Sequence, residues 1–155
     1  IRDWVSILAV GAGQGGMVGG QILDMAGEKR TLNEQELRQM HEGKTGKLIS
    51  AGVLMAARAG NASESVTACL AAYGRHIGLA FQIRDDILDV TQSTDMLGKP
   101  QGSDAGNRKS TFVTLLGLDE STQQLKAHHQ SAIQSIGRIS QPPPDGLVYL
   151  ASHKV

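Results

Sequence analysis

The sequence predicts an all-α domain, on three observations. Two polar caps, Thr31 with Glu34 and Asn61 with Glu64, each stand ahead of a long run of periodic apolar residues. From Val66 through Leu70, Tyr73, Ile77, Ala80 and Ile87 that run keeps a helical period. No segment offers a convincing strand. The length of 155 residues is enough for one domain with a core, so residues 1–155 are expected to form a single helical domain.

The first element is the hardest to assign. Residues 4–23 form a stretch of twenty without a charge, long enough to cross a bilayer. Gly11, Gly13, Gly15, Gly16, Gly19 and Gly20, with Gln14 and Gln21, make it too polar for that, and the residues that directly bracket it are Asp3 and Asp24 rather than Lys or Arg. No membrane span is expected. Within it, SILAV followed by GAGQGG fits a strand leading into G-x-G-x-x-G, the dinucleotide fingerprint. That motif needs a second strand and, about twenty residues on, an acid for the ribose. Where the strand should lie the chain reads AGEKRTLNEQEL, a turn and a capped helix. Glycines 11 to 16 are therefore expected to be a small-residue helix turn that lets neighbouring helices or a ligand approach closely. Dinucleotide binding through Gly11 and Gly16 is the remote alternative.

A helix over residues 31–59 follows, opened by Thr31 and closed at Gly60-Asn61. The next, over residues 62–90, opens at Asn61 and carries FQIRDDILDV near its end. TQSTDMLGKPQGSDAGNRK, residues 91–109, is polar, rich in Gly and broken by Pro100, hence a long loop. A further helix is expected over residues 110–139, with a break at Gly117 or Asp119. QPPPDG is a stiff linker, and residues 147–155 form a terminal helix capped by Asp145.

Composition narrows the function. Fifteen basic residues balance fifteen acidic ones, so charge gives no support to nucleic-acid or membrane-surface binding. The single Cys69 excludes an intramolecular disulfide and fits a reducing, cytoplasmic setting. The chain starts at Ile1 rather than Met and has no basic segment ahead of an apolar one, which reads as a fragment without a secretory signal.

FQIRDDILDV sets three aspartates among apolar residues. On a helix Asp85 and Asp89 lie at i and i+4, about 5–6 Å apart, with Asp86 one step round. Two carboxylates at that distance repel by about 3 kcal/mol at an effective dielectric of about 20. Arg84 alone cannot neutralise three of them, so the arrangement calls for a cation. Hard oxygen ligands without histidine or thiol select Mg²⁺, which normally shares its shell with substrate phosphates.

The remaining polar residues complement that ion. Gln82 stands three residues before Asp85, on the same face. Lys99 and Lys109 sit on the loop after the aspartate-bearing helix, able to fold back over a phosphate. Lys44 and Thr45 lie mid-helix between Gly43 and Gly46, and Gln21 and Asp24 form an i, i+3 polar pair. Together they predict a diphosphate site built from metal and ammonium groups, with no protein nucleophile. His128 and His129 are adjacent rather than i, i+4 and are expected to be solvated.

GGQILD, KTG, FQIRDDILDV, LGKPQGSD and KST, in that order, resemble the C-terminal part of the trans-isoprenyl diphosphate synthases, or polyprenyl synthetases, and most of all their bacterial farnesyl diphosphate synthase branch. The likeness is close to about residue 118 and looser beyond. It implies an isoprenoid synthase-type helical bundle around a central cavity, and condensation of an allylic diphosphate with isopentenyl diphosphate through Mg²⁺-assisted ionisation. It further implies a homodimer. By resemblance, Asp85, Asp86 and Asp89 form the metal-binding motif, with Asp85 the most direct ligand. Lys44, Lys99 and Lys109 hold the diphosphate, Thr45 and Gln82 face the developing carbocation, and Gln21 and Asp24 lie at the allylic end. The family's first aspartate-rich motif, its isopentenyl diphosphate residues and those limiting product length correspond to positions upstream of Ile1. The 155 residues alone are therefore expected to be inactive. The competing reading is a non-catalytic helical partner of a complete synthase, although such a partner has no need of the diphosphate-site residues present here.

Overall fold

A computed structural model of the chain describes residues 1–28, 30–91, 109–139, 142 and 144–153. The helices are α1 (Arg2–Ala12), α2 (Met17–Gly27), α3 (Glu34–His41), a π-helical segment (Glu42–Gly46) continuing into α4 (Lys47–Ala59), α5 (Glu64–Thr91), α6 (Phe112–Leu116), α7 (Leu118–Gly137) and α8 (Asp145–His153). The described residues contain no strand, and no helix among them is long and apolar enough to cross a membrane.

The glycine-rich start is helical on both sides of GAGQGG, so it lacks the strand that a dinucleotide site requires. Small size is what the position needs: a Cβ on Gly11 would fall 2.7 Å from Ala51 Cβ. The expectation of a close-packing helix turn fits this geometry.

The predicted helix 31–59 starts two residues late. Asn33, not Thr31, is the cap: its side chain accepts from Glu36 N while Glu36 accepts from Asn33 N. Leu32 is drawn into the core, where its N–H donates to Ser110 Oγ at 2.9 Å, and Arg30 clamps Glu36 with bonds of 2.7 and 2.9 Å. That clamp, first, and the Asn33 N–H hold the Glu36 carboxyl down to about 2. Helix α5 likewise opens on Ser63, whose Oγ accepts from Val66 N, while Asn61 takes a left-handed turn with φ 50°. The break after residue 116 falls at Gly117, where φ is 83° and a side chain would be strained.

Helix α5 runs through both halves of the interior, and its pairing with α7 is the most extensive among the described residues. One apolar cluster joins Tyr73, Ile77 and Ala80 to Ala132, Ile136 and Ala151. The other joins Leu79 and Ile83 to Leu32, Leu37, Met40 and Phe112. Each fully buried large side chain there contributes about 1.5–3 kcal/mol. Tyr73 Oη donates to Leu147 O at 2.8 Å and so ties α8 to the body; burial pushes its pKa up to about 12.

Candidate active site

The lysine of KTG stands on the π-helical segment. A π turn inserts one residue into the helical ladder, and such segments recur at functional sites because they re-aim side chains. Two glycine contacts seat it. A Cβ on Gly20 would lie 2.0 Å from Lys44 N, and one on Gly78 would lie 2.6 Å from Gly46 Cα. Helices α2 and α5 thus press against the segment backbone to backbone.

That approach brings Asp24 to Lys44. Lys44 Nζ donates to Asp24 Oδ2 at 2.5 Å, and Lys109 Nζ stands 3.6 Å from Asp24 Oδ1. Burial pushes the Asp24 carboxyl up, but the Lys44 hydrogen bond and the Lys109 charge outweigh it and hold the group below its usual value. Asp24 is 7 % exposed, while the two lysine side chains are about a third exposed.

The three aspartates occupy different surroundings. Asp85 is exposed, whereas Asp86 and Asp89 are buried. The i, i+4 pair thus runs from solvent into the interior instead of presenting two equivalent carboxylates. Asp86 Oδ2 accepts the N–H of Phe112, the first residue of α6, at 2.7 Å, and so fixes α6 to α5. His41 Nε2 lies 3.8 Å from the same oxygen, and its ring is stacked on Phe112 with centroids 5.6 Å apart. Burial drives the His41 pKa down to about 4, opposed by Gln82 beside it; the charges of Lys109, Asp24 and Lys44 also reach the ring.

The structure therefore gathers Asp24, Lys44 and Lys109 in one cluster and Gln82 and Asp86 in a second, within electrostatic reach of each other. Thr45 and Gln82 are half-buried, and Gln21 is exposed. Lys99 lies outside the described residues, as does most of the expected loop of residues 91–109. His41 and Phe112 were missed by sequence reasoning; the only hint was His41 three residues ahead of Lys44. His128, expected in solvent, is half-buried, with Nδ1 3.0 Å from His76 Nδ1, and His129 is half-buried too. No group of three or more His, Cys, Asp or Glu among the described residues converges on one point. A metal here would need ligand oxygens to complete its shell. The exposed Asp85 carboxylate fits such shared coordination by Mg²⁺.

The polyprenyl synthetase family model matches residues 9–141. The chain belongs to the polyprenyl synthetase family. It is 41 % identical over 151 residues to the farnesyl diphosphate synthase of Micrococcus luteus, covering 97 % of this chain and 52 % of that protein. To the farnesyl diphosphate synthase of Bacillus subtilis it is 43 % identical, covering 88 % of this chain and 46 % of the relative. The chain thus spans about half the length of these curated relatives. The crystal structure of the Helicobacter pylori geranyltransferase complexed with magnesium and isoprenyl diphosphate superimposes with a TM-score of 0.79 at 33 % identity, covering 97 % of this chain and 48 % of that one. The isoprenoid synthase-type, all-α architecture expected of this polyprenyl synthetase chain is therefore its fold.

Proposed function

We propose that the chain forms part of a trans-prenyltransferase that condenses dimethylallyl or geranyl diphosphate with isopentenyl diphosphate and releases diphosphate. The observation that carries this reading is Asp24 with a lysine at each oxygen, beside the aspartate-bearing helix. Two ammonium groups converge where an anion is held, and a diphosphate is the anion that fits both them and a carboxylate-bound metal.

Lys44, Lys109 and Lys99 are assigned to grip the allylic diphosphate, with Lys44 and Lys109 exchanging Asp24 for phosphate oxygens. Asp85, helped by Asp86 and Asp89, offers hard oxygens to Mg²⁺, which supplies Lewis-acid charge to the departing group when bound. As the allylic C–O bond breaks, its electron pair leaves with the diphosphate. The oxygens of Thr45 and Gln82 face the positive charge that develops on carbon. The isopentenyl double bond then attacks that carbon, and loss of a proton to the released diphosphate restores an alkene. Gln21 and Asp24 border the allylic end. The magnesium of the Helicobacter pylori complex and the farnesyl diphosphate synthase relatives support this assignment. The whole protein is proposed to act as a cytoplasmic homodimer.

The assay is transfer of labelled isopentenyl diphosphate to geranyl diphosphate with Mg²⁺, using the longest natural reading frame that contains this chain. Prenyl product and diphosphate in equal amounts are expected. A folded protein with no turnover would leave the non-catalytic partner as the better reading.

A further inference from the structure

His41 ends α3 and immediately precedes the lysine-bearing π segment. Its ring is 5 % exposed, and neither ring nitrogen makes a hydrogen bond of ordinary geometry, although the Gln82 side chain stands beside it. An unsatisfied buried polar group costs about 1–3 kcal/mol, so a site needing only bulk would be filled better by phenylalanine. The geometry explains what a nitrogen could do there. The imidazole lies nearly flat on Phe112, planes 17° apart, and Nε2 stands 3.8 Å from Asp86 Oδ2. A closure of about 1 Å turns that approach into a hydrogen bond.

We infer that His41 is a positioning residue for the diphosphate and metal site. When ligand closes the site, His41 Nε2–H donates to Asp86 Oδ2 and pins the π segment to α5, setting the separation between Lys44 and Asp85. Phe112 N–H already holds that oxygen, so the bond joins α3, α5 and α6 at one atom. The inference deepens the prenyl-transfer reading and rests on it for the ligand.

The test compares His41→Phe and His41→Gln with the wild type in the longest natural reading frame. Phenylalanine keeps the stack and removes two unpaired nitrogens, so its melting temperature should equal or exceed that of the wild type. Its kcat should nevertheless fall about 10- to 100-fold and its half-saturating Mg²⁺ should rise about 10-fold, the scale for losing a support of a metal ligand. Glutamine, with an amide N–H near the place of Nε2, should recover most of the loss. Wild-type kcat and Mg²⁺ dependence in His41→Phe would overturn the inference, and so would a glutamine variant no better than phenylalanine. If the wild type transfers no prenyl group, the functional reading has failed separately. Calorimetry with Mg²⁺ and pyrophosphate then decides on His41, and unchanged joint affinity in His41→Phe counts against it.

Discussion

Asp24 and Asp86 are both buried carboxylates beside a cationic or ionisable group, yet they are built for opposite purposes. Asp24 is held by lysine side chains whose stems reach solvent, partners that can swing to another anion. Asp86 is held by a backbone N–H at the start of α6, a partner that cannot move without moving the helix. The first arrangement can respond to a ligand. The second sets the frame in which the response occurs. Membership of one aspartate-rich motif therefore does not make its three carboxylates equivalent: Asp85 is exposed, while Asp86 is engaged at the start of α6.

The contrast breaks most visibly if Asp86 is removed. Asp86→Ala leaves Phe112 N–H buried and unpaired, with an expected loss of about 2–3 kcal/mol in urea unfolding. A loss under about 1 kcal/mol would place Asp86 with the adaptable carboxylates. Lys44→Met should do the reverse: stability should fall less than in Asp86→Ala, because Lys109 Nζ remains 3.6 Å from Asp24 Oδ1 to compensate the buried carboxylate, while pyrophosphate affinity in the presence of Mg²⁺ should fall about 10-fold or more. A melting temperature that drops with unchanged pyrophosphate affinity would make the Asp24 cluster structural.

A smaller effect separates both regions from the His76–His128 pair between α5 and α7. Burial, then the neighbouring His76 and Arg38 charges, bring His128 down to about 4, and burial with Arg75 lowers His76. A folded pKa below the unfolded value of 6.5 means that the unfolded chain binds more protons, so stability is full above about pH 6.5 and is lost as pH falls towards about 4. Replacing His128 with Gln should reduce the slope of the stability profile across that window, leaving the part that His41 contributes, without altering pyrophosphate affinity at neutral pH. An unchanged slope would remove the pair as its origin.

How far these regions could be read from the sequence follows from the range of the interactions. The aspartate motif, KTG and the course of α5 are local patterns, and they were legible. Two overlapping caps, Thr31-Glu34 and Asn33-Glu36, fit the same signal; burial of Leu32 and its bond to Ser110, 78 residues away, choose between them. Helices α1 and α2 were obscured because glycines at their packing faces dilute the apolar period. A one-residue insertion such as the π segment leaves no signature in periodicity. The Asp86–Phe112 bond spans 26 residues, with most of the intervening stretch outside the described residues, so nothing local announced that Asp86 caps a neighbouring helix.

The central claim is that Lys44 and Lys109 on one side and Asp85 on the other hold a diphosphate through a shared metal. Calorimetric titration of the longest natural form of the protein with Mg²⁺, with pyrophosphate, and with both measures it directly. The account predicts strong heat only when both are present, and a joint affinity about 10-fold weaker or worse in Asp85→Ala. Joint binding equally tight in Asp85→Ala and wild type would contradict it.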